Sequence, residues 1–442
     1  GALAGAIWGI IYARRPRQLQ LVSTTLMVRR MWEPEPARPV MASTTAGISR
    51  RSALRLGMAA GSAALLGAGA LAFVGARRDG TSTALAYAPL SDGNIPNPPN
   101  VLLVTLDTIR ADFLGAYGNQ TTNTPALDAL AKQGALFAQN MIQEPQTNPS
   151  HASMFTGMYP PSSGVRVHMV DKLPANLDTL AGVFSAAGYA TAGLYSWLSF
   201  DPQYSGFERG FHVYQNVAGQ TSALMDAPAL RGVGANFRVA EQYLYLPRKF
   251  SQAVGVQQQM EWTDKGRADV TTDAAIAQLR VLTGRPFFMW VHYFDAHYPY
   301  TPPPGYGAQL DSGYNGPINE SMDIIDAIQN GKLTPAGADL KMLQSLYQGE
   351  ISFLDSQLQR LFASLDQLDL SSNTVLAVTA DHGEAFGEHP QDAEGVDFFH
   401  PHSLHAEEQH TPLLLRFPGR IKTGTVVQAP TQAIDLFPTL IE

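Results

Sequence analysis

The run Val101–Leu106 constrains this chain more than any other feature. It is apolar at every position but Thr105, so it offers no face to water. A strand of that kind is buried on both sides, as in a parallel sheet covered by helices. A carboxylate, Asp107, follows at once. The pattern recurs at Ala190–Tyr195, at Pro286–Phe294 before Asp295-Ala296-His297, and at Thr374–Thr379 just ahead of Asp381-His382. Pro412–Phe417 reads as the last strand. Helical patterns separate these runs. One opens at Thr124-Pro125, with Thr124 as the cap, and runs toward Gly134. Others cover Asp178–Ala187, Thr272–Thr283 and Leu340–Leu368. Strands alternating with helices predict an α/β fold, a mainly parallel central sheet with helices on both faces. With 442 residues, 45% of them hydrophobic, the chain has ample material for such a core. Ligands in these sheets gather at the carboxyl ends of the strands.

The first hundred residues read differently. Residues 1–48 are an N-terminal extension of unassigned role. Residues 49–88 contain Arg50, Arg51 and Arg55 ahead of an uncharged run, Gly57–Ala76, with Arg77 and Arg78 behind it. The paired arginines resemble a twin-arginine export signal, and the small residues Ala84, Ala86 and Ala88 suit a signal peptidase. The competing reading is a retained membrane anchor over 57–76. Either places the protein outside the cytoplasm, in a periplasm or at a cell surface. Residues 89–99 read as a linker, and a catalytic domain is expected over 100–442. Residues 215–265 are less regular and suit an insertion over the site.

Charge and composition narrow the chemistry. Charged residues make up 15% of the chain, the formal net charge is -8, and no Lys/Arg run marks the globular part. No nucleic-acid surface is expected. Cysteine is absent, which excludes disulfides, zinc–thiolate sites and a cysteine nucleophile. An anionic substrate must therefore be met by a metal or by a few local groups.

Three elements carry candidate chemistry. Asp107, directly after a buried strand, suits a hard metal ligand on a rigid support, though a turn aspartate looks the same alone. Asp381 and His382 sit side by side at a strand end, where Gly383 permits the turn that lets both reach one cation. Thr147-Asn148-Pro149-Ser150-His151 places a hydroxyl at the start of a helix whose amides can face an anion. Alone, that last segment reads better as an ordinary helix cap.

Together these elements resemble the sulfatase family. Asn100–Asp107 with Arg110-Ala111-Asp112 is similar to its opening strand and metal loop. Thr147–Ser153, continued to Pro160, resembles its nucleophile signature. Asp295–Tyr300 resembles its substrate-histidine loop, and Asp381–Glu384 and Thr411–Leu415 follow in the family's order. The resemblance covers roughly residues 100–442. It implies the alkaline-phosphatase-like/sulfatase fold and cleavage of sulfate or phosphate esters. It also implies one divalent ion, Zn, Mn or Ca, held by Asp107, Thr147, Asp381 and His382. Thr147 falls at the nucleophile position. His297 is expected to protonate the leaving alcohol, with His400 as the second candidate. His151, in the place of the signature arginine, is expected at the substrate anion with His297, His400 and His405.

Sulfatases proper convert Cys or Ser at the nucleophile position to formylglycine. Threonine carries a β-methyl, so the same oxidation yields a ketone. No formylglycine is expected, and phosphorus esters are favoured over sulfate esters. The fold also houses phosphodiesterases and membrane phosphoglycerol or phosphoethanolamine transferases with a Thr nucleophile. A transferase is therefore the alternative, and a non-catalytic subunit of the same fold the third.

Overall fold

The structure, a computed structural model, describes residues 98–218, 266–307, 313–389, 397–401 and 403–442. The extension 1–48, the segment 49–88 with its run 57–76, the linker as far as residue 97 and most of 215–265 lie outside the described residues. Among the described residues, no helix is long and apolar enough to cross a membrane.

The strands in chain order are β1 (Asn100–Leu106), β2 (Ala135–Phe137), β3 (Asn140–Met141), β4 (Ala190–Tyr195), β5 (Val213–Asn216), β6 (Phe287–Tyr293), β7 (Thr374–Ala380), β8 (Ala385–Phe386), β9 (Phe398–Phe399), β10 (His410–Thr411), β11 (Leu413–Arg416), β12 (Thr425–Val427) and β13 (Thr431–Gln432). Eight of them form one sheet in the order β12-β2-β11-β7-β1-β6-β4-β5. From β7 to β5 every neighbour is parallel. β11 runs antiparallel to both β7 and β2. The mainly parallel sheet is as expected, but Pro412–Phe417 is not the last strand. β12 returns to pair with β2 beyond it. Its Thr425-Val426-Val427 is too short and too exposed to give an apolar run.

The helices used below are α1 (Pro125–Gln133), α2 (Thr147–Thr156), α3 (Leu180–Ala186), α4 (Ala268–Leu282) and α5 (Ala338–Gln367). They cover both faces, and the period-2 alternation of β1 sorts its side chains between two cores. Leu102, Val104 and Leu106 join Leu279 of α4 and Leu343, Leu354, Leu358 and Leu361 of α5. Val101 and Leu103 join Ala152, Met154 and Phe155 of α2 and Leu180 and Phe184 of α3. Burying one such leucine contributes roughly 1.5–3 kcal/mol, so these rows fix the strand register firmly.

One capping expectation fails. Thr124 does not cap α1: its hydroxyl accepts from the Gly115 amide (2.9 Å) and donates to Asp128 (3.1 Å). The α1 amides of Ala126 and Leu127 donate instead to Asp355 of α5, each at 2.9 Å. A carboxylate satisfies two orphan donors where a single hydroxyl takes one.

Candidate active site

Parallel register brings three strand ends together. Leu106, the last residue of β1, lies opposite Ala380 of β7 and Tyr293 of β6. The ladder continues one step further, as the Asp381 amide donates to the Leu106 carbonyl (3.1 Å) and the Asp107 amide to the Tyr293 carbonyl (2.9 Å). Asp107 and Asp381 are thus neighbours on rigid supports, and both are fully buried. His382 is buried beside them. Its Nε2 lies 3.6 Å from Asp107 Oδ1 and 3.7 Å from Asp381 Oδ2.

The turn after Asp107 is held tightly. Thr108 adopts φ 58°, a left-handed conformation rare for a β-branched residue, costing of order 1–3 kcal/mol. Its amide donates to Asp381 Oδ1 (3.2 Å), and Tyr347 of α5 donates to its carbonyl (2.6 Å). Asp381 Oδ1 also accepts from the His382 amide (2.8 Å). That leaves Asp381 Oδ2 for the centre of the site.

α2 closes the site from the other face. Every residue from Thr147 to Thr156 is buried. Ser150 Oγ donates to the Asp381 carbonyl (2.6 Å), so the first turn of α2 is tied to the end of β7. Thr147 opens that turn. The helix therefore presents its amino end beside the carboxylates, where partial positive charge favours an anion.

His151 lies within reach of Asp381 as well, Nδ1 to Oδ2 at 3.7 Å. Its two nitrogens are both committed. Nδ1 bonds the Thr147 carbonyl at 2.8 Å, which only an N–H can do. Nε2 lies 3.0 Å from Thr105 Oγ1, and that hydroxyl already accepts from Trp290 Nε1 (2.9 Å). With the ring's proton on Nδ1, Nε2 carries a lone pair, so the Thr105 hydroxyl donates to it while accepting from Trp290. Burial pushes the pKa of this ring down to about 3, against the pull of Asp381, so it is neutral. The expectation that His151 meets the substrate anion does not fit: the ring is sealed at 0% exposure and bonds only to the fold.

Two of the other expected histidines converge on the site. The His400 ring lies tilted against His382, with ring centres 4.2 Å apart, and His297 lies 4.9 Å from His400. Both are nearly buried. His400 Nδ1 bonds Glu384 Oε1 (2.8 Å), and Tyr300 donates to the other oxygen of Glu384 (3.0 Å). His405 stacks on His389 at 3.8 Å, beside Glu407.

Sequence reasoning passed over two residues here. One is Glu384, which holds His400. The other is His292, within β6 and opposite Thr105, whose Nε2 lies 3.4 Å from Asp107 Oδ2. Nothing in Phe287–Tyr293 marks it apart from a core position.

The donor set fits a cation. Among the described residues, Asp381 Oδ2, His292 Nε2 and His382 Nε2 are buried without a hydrogen-bond partner. Buried polar atoms left so are costly, and here they face one another. Burial alone would hold His382 neutral, but Asp381 and Asp107 outweigh it and raise its pKa. Burial and Asp107 together raise that of Asp381. A divalent ion among these atoms satisfies all of them. Asp107, Asp381 and His382 form one candidate metal-binding group, and His151, His292 and Asp381 form a second that shares Asp381.

A family model described as Sulfatase matches residues 99–442. The mouse (Mus musculus) steryl-sulfatase is 25% identical over 434 residues, covering 80% of this chain and 63% of its own length. The arylsulfatase of Clostridium perfringens is 26% identical over 375 residues, covering 78% of this chain and 74% of its own. Among solved structures, the phosphonate monoester hydrolase of Agrobacterium radiobacter superposes with a TM-score of 0.56 at 22% identity, covering 77% of this chain and 73% of that one.

Proposed function

This chain belongs to the sulfatase family, and we propose that it is a metal-dependent hydrolase of anionic esters that attacks phosphorus with Thr147. The observation that carries the reading is the meeting of Asp107, Asp381 and His382 at the strand ends, directly beside the first turn of α2. Those three residues, with Thr147, would hold the ion. When bound, such an ion lowers the pKa of a nucleophile and offsets charge on the ester oxygens.

The remaining steps belong to side chains. The Thr147 oxygen forms a bond to phosphorus while the bond from phosphorus to the leaving alcohol breaks. The positive end of the α2 dipole attracts the anion and helps hold it for in-line attack. The departing oxygen takes a proton from His297 or from His400, whose ring orientation is fixed by Glu384. Water then cleaves the phosphothreonine. Thr147 and the lack of any cysteine favour this route over formylglycine chemistry. A likeness in fold to phosphonate monoester hydrolases agrees with phosphorus as the centre attacked.

The test is a panel of four 4-nitrophenyl esters: a sulfate, a phosphate monoester, a phosphodiester and a phenylphosphonate. Wild type should cleave a phosphorus ester fastest. Thr147→Ala should lose at least about 1,000-fold in kcat, the scale on which removal of a nucleophile acts. Equal rates in the two proteins would remove Thr147 from the chemistry.

A further inference from the structure

We propose that His292 is a ligand of the same cation, so that the site is built for a transition metal with two imidazole donors. The proposal rests on the metal-site reading above and adds a residue to it.

The hydrogen bonds around the ring assign its tautomer. Ser196 Oγ donates to the His292 backbone carbonyl at 2.8 Å. Its lone pairs are therefore left to accept, and His292 Nδ1 faces them at 3.4 Å. The proton sits on Nδ1, and Nε2 carries a lone pair. That lone pair points at Asp107 Oδ2, 3.4 Å away, with no hydrogen-bond partner among the described residues. A cation held beside both atoms would be attracted by the imidazole nitrogen and by the carboxylate alike.

His382 repeats the arrangement. Its Nδ1 donates to the Gly383 carbonyl (3.0 Å), and its Nε2 faces the carboxylates. An outer hydrogen bond from one ring nitrogen with the other directed inward is the usual habit of ligating histidines. The spacing agrees. Ligands about 2.1 Å from a shared ion at tetrahedral angles stand about 3.4 Å apart. Here His292 Nε2 is 3.4 Å from Asp107 Oδ2, while His382 Nε2 is 3.6 Å from Asp107 Oδ1 and 3.7 Å from Asp381 Oδ2, so the two imidazoles address different oxygens of Asp107. Calcium takes six to eight oxygens at longer range, whereas imidazole donors suit zinc, copper, iron or nickel.

The test uses the full chain, stripped of metal by a chelator. Zn²⁺, Mn²⁺ and Ca²⁺ are titrated separately into wild type, His292→Ala and Asp381→Ala by calorimetry and chelator competition. His292→Ala should lose at least about 10-fold in Zn²⁺ affinity, the least that disturbing a metal's supporting shell costs. Its Ca²⁺ affinity should not change. Equal Zn²⁺ affinity in His292→Ala and wild type would overturn the proposal. Wild type loaded with Cu²⁺ and read by pulsed electron paramagnetic resonance needs no substitution. Two coupled imidazoles are expected, and one overturns the proposal. If neither wild type nor Asp381→Ala binds any of the three ions, the metal-site reading itself fails. If Asp381→Ala alone loses binding, only the role of His292 does.

Discussion

Two buried histidines lie within reach of Asp381 Oδ2, and they differ in what their nitrogens already do. His151 on α2 and His382 after β7 are each 3.7 Å from that oxygen and each at 0% exposure. Distance and burial do not tell them apart. His151 spends both nitrogens on Thr147 and Thr105. His382 spends one on Gly383 and keeps the other, as His292 does on the far side of Asp107. The α2 side of the carboxylate is therefore closed, a pin that seats the helix on the sheet. On the strand-end side, His382 Nε2 and His292 Nε2 turn toward the carboxylates instead of into the fold. Full accounting of donors and acceptors separates ligand from scaffold where proximity cannot.

The sharpest way to break this contrast is through Asp381, which both sides share. Asp381→Asn keeps an oxygen to accept the Thr108 and His382 amides, so the metal-free fold should survive. It removes the charge that an ion needs. Metal affinity should fall by at least about 100-fold, the upper end of what loss of a supporting contact costs, and activity with it. Circular dichroism and metal titration on the same sample check both halves of that statement. Wild-type metal affinity in Asp381→Asn would mean the ion sits elsewhere.

His151→Ala should do the reverse. The ring packs against Phe200 at 4.7 Å and Trp290 at 5.6 Å. Its loss leaves a cavity and strands the Thr147 carbonyl's side-chain bond and the Thr105 hydroxyl. Cavity creation by removing a buried aromatic ring costs about 3–5 kcal/mol. Denaturant unfolding of the metal-free protein should show a loss of that size, while Zn²⁺ affinity of the folded protein stays at the wild-type value. A drop in affinity matching that of His382→Ala would merge the two sides and sink the distinction.

How much of this was legible depends on the range of the interaction involved. Val101–Leu106 with Asp107, and Thr374–Thr379 with Asp381-His382, were readable because burial on both faces and a polar stop lie within a few consecutive residues. His292 was hidden for the opposite reason. It stands in Phe287–Tyr293 like any core residue, and only pairing with β1, opposite Thr105, brings it to Asp107. The α1 cap failed likewise. Thr124 has the right local chemistry, but Asp355 reaches the same amides from α5, 228 residues beyond Leu127. His151 was expected at the substrate anion, and its surroundings were not legible. No local pattern reveals that Thr105 on one strand bonds its Nε2 while Trp290 on another strand donates to that same threonine.

The smallest expected effect tests the closed side by pH. His151 has a folded pKa of about 3 against an ordinary value of 6.5. Between those limits the unfolded chain binds a proton that the folded chain refuses. Unfolding is therefore favoured as pH falls, and the ring adds no penalty well above 6.5. Glutamine at this position can donate to the Thr147 carbonyl and accept from Thr105 without titrating. Metal-free His151→Gln should lose less stability than wild type on acidification, by about 1.6 kcal/mol between pH 6.5 and 5.0 for one such group. Parallel pH profiles for the two proteins would show that His151 is charged in the fold. Its Nε2 would then be a donor to Thr105, and the hydroxyl bookkeeping that closes this side of Asp381 would fall with it.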